Sequence, residues 1–142
     1  MSYLLDTNTV SELAREKPAP SVIEWLRLNH RDCFLSAVTI GELAKGLELL
    51  PEGKKRRRLT RELRFLQEDY QDRILAYDEL AAVEWGRLYA AAKKQNRLLP
   101  LEDSLIEAIA LSHELAVVTH NVGDFFRVRT INPWTLPSPE RA

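Results

Sequence analysis

The sequence is short of the features that mark several common classes of protein. It has a single cysteine, Cys33, in 142 residues, which excludes an internal disulfide and suits a reducing compartment. No apolar run approaches the roughly 18 residues that a membrane-spanning helix needs. Asp6 interrupts the first apolar stretch, and no basic region precedes that stretch. We therefore expect a cytoplasmic protein with neither a signal peptide nor a membrane segment.

The chain also lacks an excess of charge of either sign. Its 20 lysine and arginine residues nearly balance 21 aspartate and glutamate residues, which leaves a formal net charge of -1. A surface that binds a polyanion must therefore be a local patch. The content of 45% hydrophobic and 29% charged residues is typical of a soluble globular domain. Only a Pro-rich tail over residues 133–142 is predicted to be loosely held.

Short apolar runs alternate with amphipathic segments along the chain. Strands are predicted at about residues 2–6, 33–38, 73–77, 115–119 and 131. The segments between them have apolar residues at helical spacing, and the longest covers residues 54–70. Strands separated by helices imply right-handed crossovers and a parallel sheet. The predicted fold is α/β, a single domain over residues 1–142, with a central parallel sheet of about five short strands and helices on both faces.

Four acidic residues stand at or near the junctions where predicted strands give way to turns or helices. They are Asp6, Glu42, Asp103 and Asp124. Because the carboxyl ends of parallel strands open into one crevice, side chains remote in sequence can meet there. Carboxylates in a shared pocket repel one another unless a cation intervenes. An oxygen-only set, without a cysteine pair or histidine cluster, suits Mg²⁺ or Mn²⁺ better than Zn²⁺.

Each of these acids also has a purely structural interpretation. Asp6 can cap a helix or close an Asx turn, and Glu42 can complete a capping box with Thr39. Asp103 can complement a helix dipole, and Asp124 can be a turn residue. These interpretations explain each residue alone. A shared metal site explains why all four fall at the same predicted edge of the sheet.

A dense group of basic residues begins the predicted helix over residues 54–70. It consists of Lys54, Lys55, Arg56, Arg57 and Arg58. Two interpretations stay open: contact with the phosphates of an RNA, or a solvated helix face balanced by nearby glutamates. The three tryptophans could stack on bases, although packing in the core or in a partner groove is the favoured use.

Four segments together carry a resemblance to a known family. They are Leu4-Leu5-Asp6-Thr7-Asn8, residues 36–43 with Glu42, residues 100–106 with Asp103, and residues 118–125 with Asp124, followed by Ile131-Asn132-Pro133-Trp134. In this order the segments resemble the PIN domain family, and within it the VapC-type toxins of prokaryotic toxin–antitoxin pairs. The resemblance spans nearly the whole chain.

The resemblance implies a metal-dependent endoribonuclease that hydrolyses RNA phosphodiester bonds as the toxin of a type II pair. It implies a VapB-like antitoxin as partner, a homodimer, and a larger complex with antitoxin and operator DNA. The antitoxin is expected to place apolar residues between the early helices and a basic side chain in the acidic pocket. Apolar helix positions such as Leu88 and Tyr89 are candidates for the dimer surface.

Residue by residue, the same resemblance makes the four acids the expected catalytic residues. Asp6 and Asp103 are expected to be the primary ligands of Mg²⁺ or Mn²⁺, with Glu42 and Asp124 as direct or water-bridged ligands. The expected supporting residues are Asn8, Thr119, Asn121 and Glu107.

The chain departs from the family pattern at two positions. Glu107 stands where the family usually has a small residue. Because it follows Asp103 by four residues on the same helical face, it is expected to add a ligand or a hydrogen-bond acceptor behind the ligands. His120 stands where an arginine is common, which implies a weaker basic contact with substrate. Asn121 is neutral, so Asp124 is the expected fourth carboxylate.

Two other functions fit parts of the sequence. Asp6-Thr7-Asn8-Thr9 is similar to the first motif of haloacid-dehalogenase-like phosphohydrolases, in which Asp6 would be the nucleophile. That motif, however, has a second aspartate where Asn8 stands. The other alternative is a non-enzymatic nucleic-acid-binding module, in which the basic helix contacts nucleic acid and the acids are caps.

Overall fold

The computed structural model describes residues 1–136 and contains five short strands. They are β1 Tyr3–Leu5, β2 Cys33–Ser36, β3 Ile74–Leu75, β4 Ala116–Val118 and β5 Thr130–Ile131. All five belong to one sheet in the order β3-β2-β1-β4-β5, and every neighbouring pair is parallel. The predicted parallel sheet of about five short strands is confirmed.

Six α-helices connect and cover these strands in the described part of the chain. They are α1 Thr7–Leu13, α2 Pro20–Asn29, α3 Ala37–Leu49, α4 Lys54–Asp69, α5 Glu79–Lys94 and α6 Leu101–Ser112. Single turns of 3-10 helix lie at His30–Asp32 and Val122–Asp124. Across residues 1–136, no helix has both the length and the apolar character that crossing a membrane requires.

Helices bury both faces of the sheet. Neighbouring residues of the central strands point to opposite faces, so each face contributes its own side chains to the core. On one face, Leu4 and Val117 pack with residues of α5 and α6. On the other face, Leu5 and Val118 pack with residues of α1 and α2. The prediction of helices on both faces is therefore confirmed.

Helix α3 begins earlier than the sequence predicted. Strand β2 ends at Ser36, and the Ser36 hydroxyl oxygen accepts a 3.0 Å hydrogen bond from the backbone N–H of Thr39. Ser36 is thus the N-cap, and the capping box proposed for Thr39 and Glu42 was wrong. Helix α6 begins at Leu101, so Asp103 lies inside its first turn.

Two features of the surface differ from expectation. Pro133 is buried and Trp134 packs against the core on the Leu5 face, so the start of the predicted loose tail is held in place. Residues 137–142 of that tail lie outside the described residues. Leu88 is fully buried in the core, whereas Tyr89 is 38% exposed and stacks on Trp85. Of the two candidates for a dimer surface, only Tyr89 is available.

Candidate active site

Asp6 follows β1 directly and is 1% exposed. It is the N-cap of α1: its Oδ1 accepts hydrogen bonds from the backbone N–H of Thr9 at 2.8 Å and from the Thr9 hydroxyl at 2.7 Å. Burial raises the pKa of Asp6, while Thr119, Thr9 and the nearby His120 oppose that rise. The capping interpretation is therefore correct for Asp6, and it fixes the carboxylate at the edge of the sheet.

Asp103 is half-buried in the first turn of α6. Burial raises its pKa from 3.8 to about 6, and the negative charges of Asp124, Asp6 and Glu42 contribute to the rise in that order. A charge can shift a pKa in this way only from nearby. The structure therefore gathers all four predicted acids around one region, which we call the acidic pocket.

Glu42 is half-buried in the second turn of α3. Its Oε1 accepts a 2.7 Å hydrogen bond from the hydroxyl of Thr7, in the first turn of α1. Strands β1 and β2 are parallel neighbours, so the helices that follow them start at the same sheet edge. This topology brings Thr7 and Glu42 together from distant parts of the sequence.

Asp124 lies in the turn between β4 and β5, and the backbone on either side of it is fixed. The Arg97 guanidinium donates one hydrogen bond to the carbonyl oxygen of Gly123 and another, 3.1 Å long, to that of Phe125. Arg97 belongs to the connection between α5 and α6. It thereby links the Asp124 turn to the segment that leads into the Asp103 helix.

Glu107 lies behind the acidic turn as a hydrogen-bond acceptor. It is completely buried, and its two carboxylate oxygens accept hydrogen bonds from the backbone N–H groups of Phe126, Arg127 and Val128 at 2.6 to 3.0 Å. Both oxygens are directed at the backbone after Asp124. Of the two predicted uses of Glu107, the hydrogen bonds agree with the acceptor behind the ligands, because Glu107 anchors the chain segment that follows the acidic turn.

The other supporting residues take two kinds of position. Thr119 is fully buried, and its hydroxyl oxygen accepts a 2.9 Å hydrogen bond from the backbone N–H of Asn121. Asn8 and Asn121 themselves are exposed. Thr119 thus shapes the turn after β4, while the two asparagines stand at the surface.

The donor set can be compared with the needs of a hard cation. Within residues 1–136, no three acidic, histidine or cysteine side chains are close enough together to hold one metal ion directly. The donors are all oxygens, and Mg²⁺ keeps several of its own waters, through which it can contact more distant carboxylates. The acidic pocket therefore fits a hydrated divalent cation.

A groove of about 1940 Å³ opens beside the acidic pocket, between α1, α3 and α4. Thr7 and Glu42 belong to its lining, so the groove and the pocket share a wall. Several apolar side chains line the groove, among them Val10, Leu43, Leu59, Leu63 and Leu66.

The basic start of α4 forms part of the same groove. Four of the five predicted basic residues line it: Lys54, Lys55, Arg57 and Arg58. Arg56 instead forms a 3.0 Å ion pair with Glu48, and Arg58 forms a 3.1 Å pair with Glu62. Some of the charge of the basic run is thus balanced by glutamates and some faces a groove, while contact with RNA phosphates stays a prediction.

Comparison with known proteins agrees with the fold. The PIN domain model matches residues 3–130. The chain is 38% identical to Toxin FitB of Neisseria gonorrhoeae over 135 residues, which cover 92% of this chain and 97% of that protein. It is 35% identical to the tRNA(fMet)-specific endonuclease VapC of Shigella flexneri over 130 residues, which cover 90% and 92%.

A solved structure of FitAB bound to a DNA fragment superposes on the chain with a TM-score of 0.89 at 34% identity. The match covers 96% of this chain and 99% of that one. The chain therefore belongs to the PIN domain family, as the four motifs indicated.

Proposed function

We propose that this PIN domain is the ribonuclease toxin of a type II toxin–antitoxin pair and acts in the cytoplasm. Toxin FitB and the Shigella endonuclease VapC match it at 38% and 35% identity over nearly its whole length. The observation that carries the proposal is the convergence of the acids: Asp6, Glu42 and Asp124 all raise the pKa of Asp103.

The proposed chemistry is hydrolysis of an RNA phosphodiester with Mg²⁺ or Mn²⁺. Asp6 and Asp103 hold the cation, and Glu42 and Asp124 contact it directly or through water. Such a cation supplies an oriented, more acidic water and neutralises charge on the scissile phosphate. Hydrogen bonds from Thr9 and Thr7 orient the Asp6 and Glu42 carboxylates before substrate binds, which lowers the cost of organising the site.

The test is mapped cleavage of total RNA with Mg²⁺ or Mn²⁺, comparing the wild type with Asp103→Asn. Loss of this charge is expected to lower cleavage about 100-fold or more, with the circular dichroism spectrum unchanged. Asp72→Asn, at an exposed acid outside the acidic pocket, is the matched control and should cleave like the wild type. Equal cleavage by Asp103→Asn would contradict the proposal.

The partner is proposed to be a small VapB-like antitoxin that lies in the groove. The groove offers apolar side chains, basic walls and a shared boundary with the acidic pocket. A segment with apolar residues along the groove and one basic residue at Glu42 would neutralise the pocket and exclude RNA. A purified complex that cleaves RNA as fast as the free chain would rule this out.

The proposed assembly is a homodimer that binds operator DNA together with the antitoxin. The FitAB structure named above is a protein complex with DNA and has almost the same fold as this chain. Light scattering of the isolated chain at micromolar concentration tests the dimer, and a monomeric mass would count against it.

The phosphohydrolase alternative fits the structure less well. Asp6 is almost completely buried, and its Oδ1 already accepts two hydrogen bonds from Thr9. A nucleophilic carboxylate needs an oxygen that a phosphoryl group can approach. The absence of acid-stable or fluoride-trapped phosphorylation on Asp6 would remove this alternative.

A further inference from the structure

A stacked aromatic pair lies beside the acidic pocket and has no part in the function described so far. The rings of His120 and Trp134 are nearly parallel, with 4.6 Å between their centroids and an angle of 12° between their planes. Trp134 is half-buried and packs against the core on the Leu5 face. His120 is exposed, so the pair presents the smaller ring to solvent and keeps the larger one behind it.

The pair is held by one asparagine that contacts both residues. The Asn132 side-chain amide donates a 3.5 Å hydrogen bond to the carbonyl oxygen of His120, and its Oδ1 accepts a 3.0 Å bond from the backbone N–H of Trp134. These bonds hold the backbone of both residues, and the two rings stack on each other in the free protein. A preorganised ring loses little conformational entropy when a ligand stacks on it.

The position of the pair relative to the acids is also defined. The backbone N–H of Asp6 donates a 3.1 Å hydrogen bond to the carbonyl oxygen of Val118, the last residue of β4. The next two residues are Thr119 and His120, and both oppose the rise that burial causes in the pKa of Asp6. The exposed ring therefore stands on the Asp6 side of the acidic pocket.

We propose that His120, supported by Trp134, is a stacking site for a nucleobase next to the scissile phosphate. The inference rests on the proposed ribonuclease function, since it takes single-stranded RNA as the ligand. Proteins that recognise single-stranded RNA stack splayed bases on aromatic rings, including that of histidine. One such stack contributes about 10-fold to affinity. The base at this site is bound by its flat face, so the site favours an unpaired nucleotide at the cut.

The first experiment separates stacking from charge at position 120. His120→Ala is expected to raise the KM for RNA cleavage about 10-fold and to leave kcat within about twofold. His120→Phe keeps a flat ring without a titratable group, and should keep KM within about threefold of the wild type. His113→Ala, at an exposed histidine just after α6, is the matched control and should behave as the wild type.

Two results of this experiment would overturn the proposal. One is a KM for His120→Ala equal to that of the wild type. The other is a KM for His120→Phe as high as that for His120→Ala, which would mean that His120 acts through its protons. Because His120 is exposed, each variant is expected to keep the wild-type Tm, which is measured alongside.

The second experiment measures binding without cleavage. Labelled 12-nucleotide RNAs, either all uridine or abasic with the same number of phosphates, are titrated with Asp103→Asn and with the double variant Asp103→Asn/His120→Ala. Stacking predicts that His120→Ala weakens binding of the uridine RNA about 10-fold and leaves the abasic RNA unchanged. An equal effect on both RNAs, or no effect on either, would overturn the proposal.

The two experiments also separate this inference from the proposed function. If the wild type cleaves RNA and His120→Ala differs in neither experiment, the stacking site is wrong and the ribonuclease proposal stands. If the wild type cleaves no RNA but binding of the uridine RNA still depends on His120, the ribonuclease proposal is wrong and the stacking site stands.

Discussion

The Thr7 hydroxyl donates a 2.7 Å hydrogen bond to Glu42, 35 residues further along the chain. This bond is the last of a series of side-chain hydrogen bonds in which each hydroxyl donates to the next group. Ser36 donates to Thr39 at 3.2 Å, and the Thr39 and Thr7 hydroxyl oxygens are 3.0 Å apart. Since each hydroxyl has a single proton, Thr39 must donate to Thr7 when Thr7 donates to Glu42. Three neutral side chains thereby orient one carboxylate.

Removing the hydroxyl at the end of this chain should reduce activity. Thr7→Val keeps the shape of the side chain, and is expected to lower RNA cleavage about 10-fold because Glu42 loses the donor that orients it. Thr7→Ser keeps the donor and should stay near the wild-type rate. Thr60→Val removes a hydroxyl that bonds only to the Arg56 carbonyl within α4, and serves as the control. Equal rates for Thr7→Val and Thr60→Val would contradict the expectation.

Asp103 should make the metal-free protein less stable as pH rises. Its pKa in the folded chain is about 6, against an ordinary value of 3.8, so the folded state binds the proton more strongly than the unfolded state. The resulting stabilisation is complete below about pH 3.8 and is lost as pH rises through 6. Asp103 is partly exposed, so we discount the effect to about 1 kcal/mol, or about 3 °C in Tm.

Thermal unfolding in EDTA at pH 4.5 and pH 7 measures this effect. Asp103→Asn stays neutral at both values, so its Tm is expected to exceed that of the wild type at pH 7 by about 3 °C and by less at pH 4.5. Adding Mg²⁺ at pH 7 should raise the Tm of the wild type more than that of the variant. A Tm difference that does not change with pH would show that the raised pKa has no effect on stability.

Glu107 should contribute mainly to stability. Glu107→Ala leaves three backbone N–H groups without their acceptor in a buried place, and is expected to cost about 3 kcal/mol in the free energy of unfolding. Glu107→Gln keeps one acceptor oxygen and should cost less. Chemical denaturation measures both variants. Glu68→Ala, at an exposed position on α4, is expected to change the free energy of unfolding by no more than about 0.5 kcal/mol. A similarly small loss for Glu107→Ala would contradict the role of Glu107 as an anchor.

A charge placed in the groove should separate antitoxin binding from catalysis. Leu63→Glu adds a carboxylate to the apolar lining of the groove, and is expected to weaken inhibition by the co-expressed antitoxin about 100-fold. RNA cleavage by the free toxin should be unchanged. Leu98→Glu, at an exposed leucine outside the groove, is the control with the same charge change. If the antitoxin inhibits both variants as strongly as it inhibits the wild type, the antitoxin binds outside the groove.

Much of the fold and the meeting of the acids could be predicted from the sequence. Alternating apolar and amphipathic segments determine a parallel sheet with crossover helices, and that topology alone brings Asp6 and Asp103 to one edge. The start of α3 was misplaced because Thr39 and Glu42 have the spacing of a capping box, while the actual cap, Ser36, ends a buried strand. Two competing caps three residues apart give the same local signal.

The hydrogen-bond partners of Glu107 could not be predicted for a different reason. Its spacing from Asp103 correctly places both on α6, but its hydrogen-bond partners are 19 to 21 residues away in an irregular segment. The sequence of an irregular segment has no periodic pattern from which its path could be predicted. The fixed turn around Asp124 likewise depends on Arg97, whose contacts follow from tertiary packing.

Leu4 and Leu5 are neighbours in β1 but belong to two separate cores, which limits the insertions and deletions that this strand can accept. A strand that is buried on both sides cannot slide by one residue without turning every apolar side chain to the wrong layer. Asp6 comes directly after that strand, so its distance from the other carboxylates is set by the same constraint. One inserted or deleted residue in β1 would therefore damage both the packing of the two cores and the arrangement of the carboxylates.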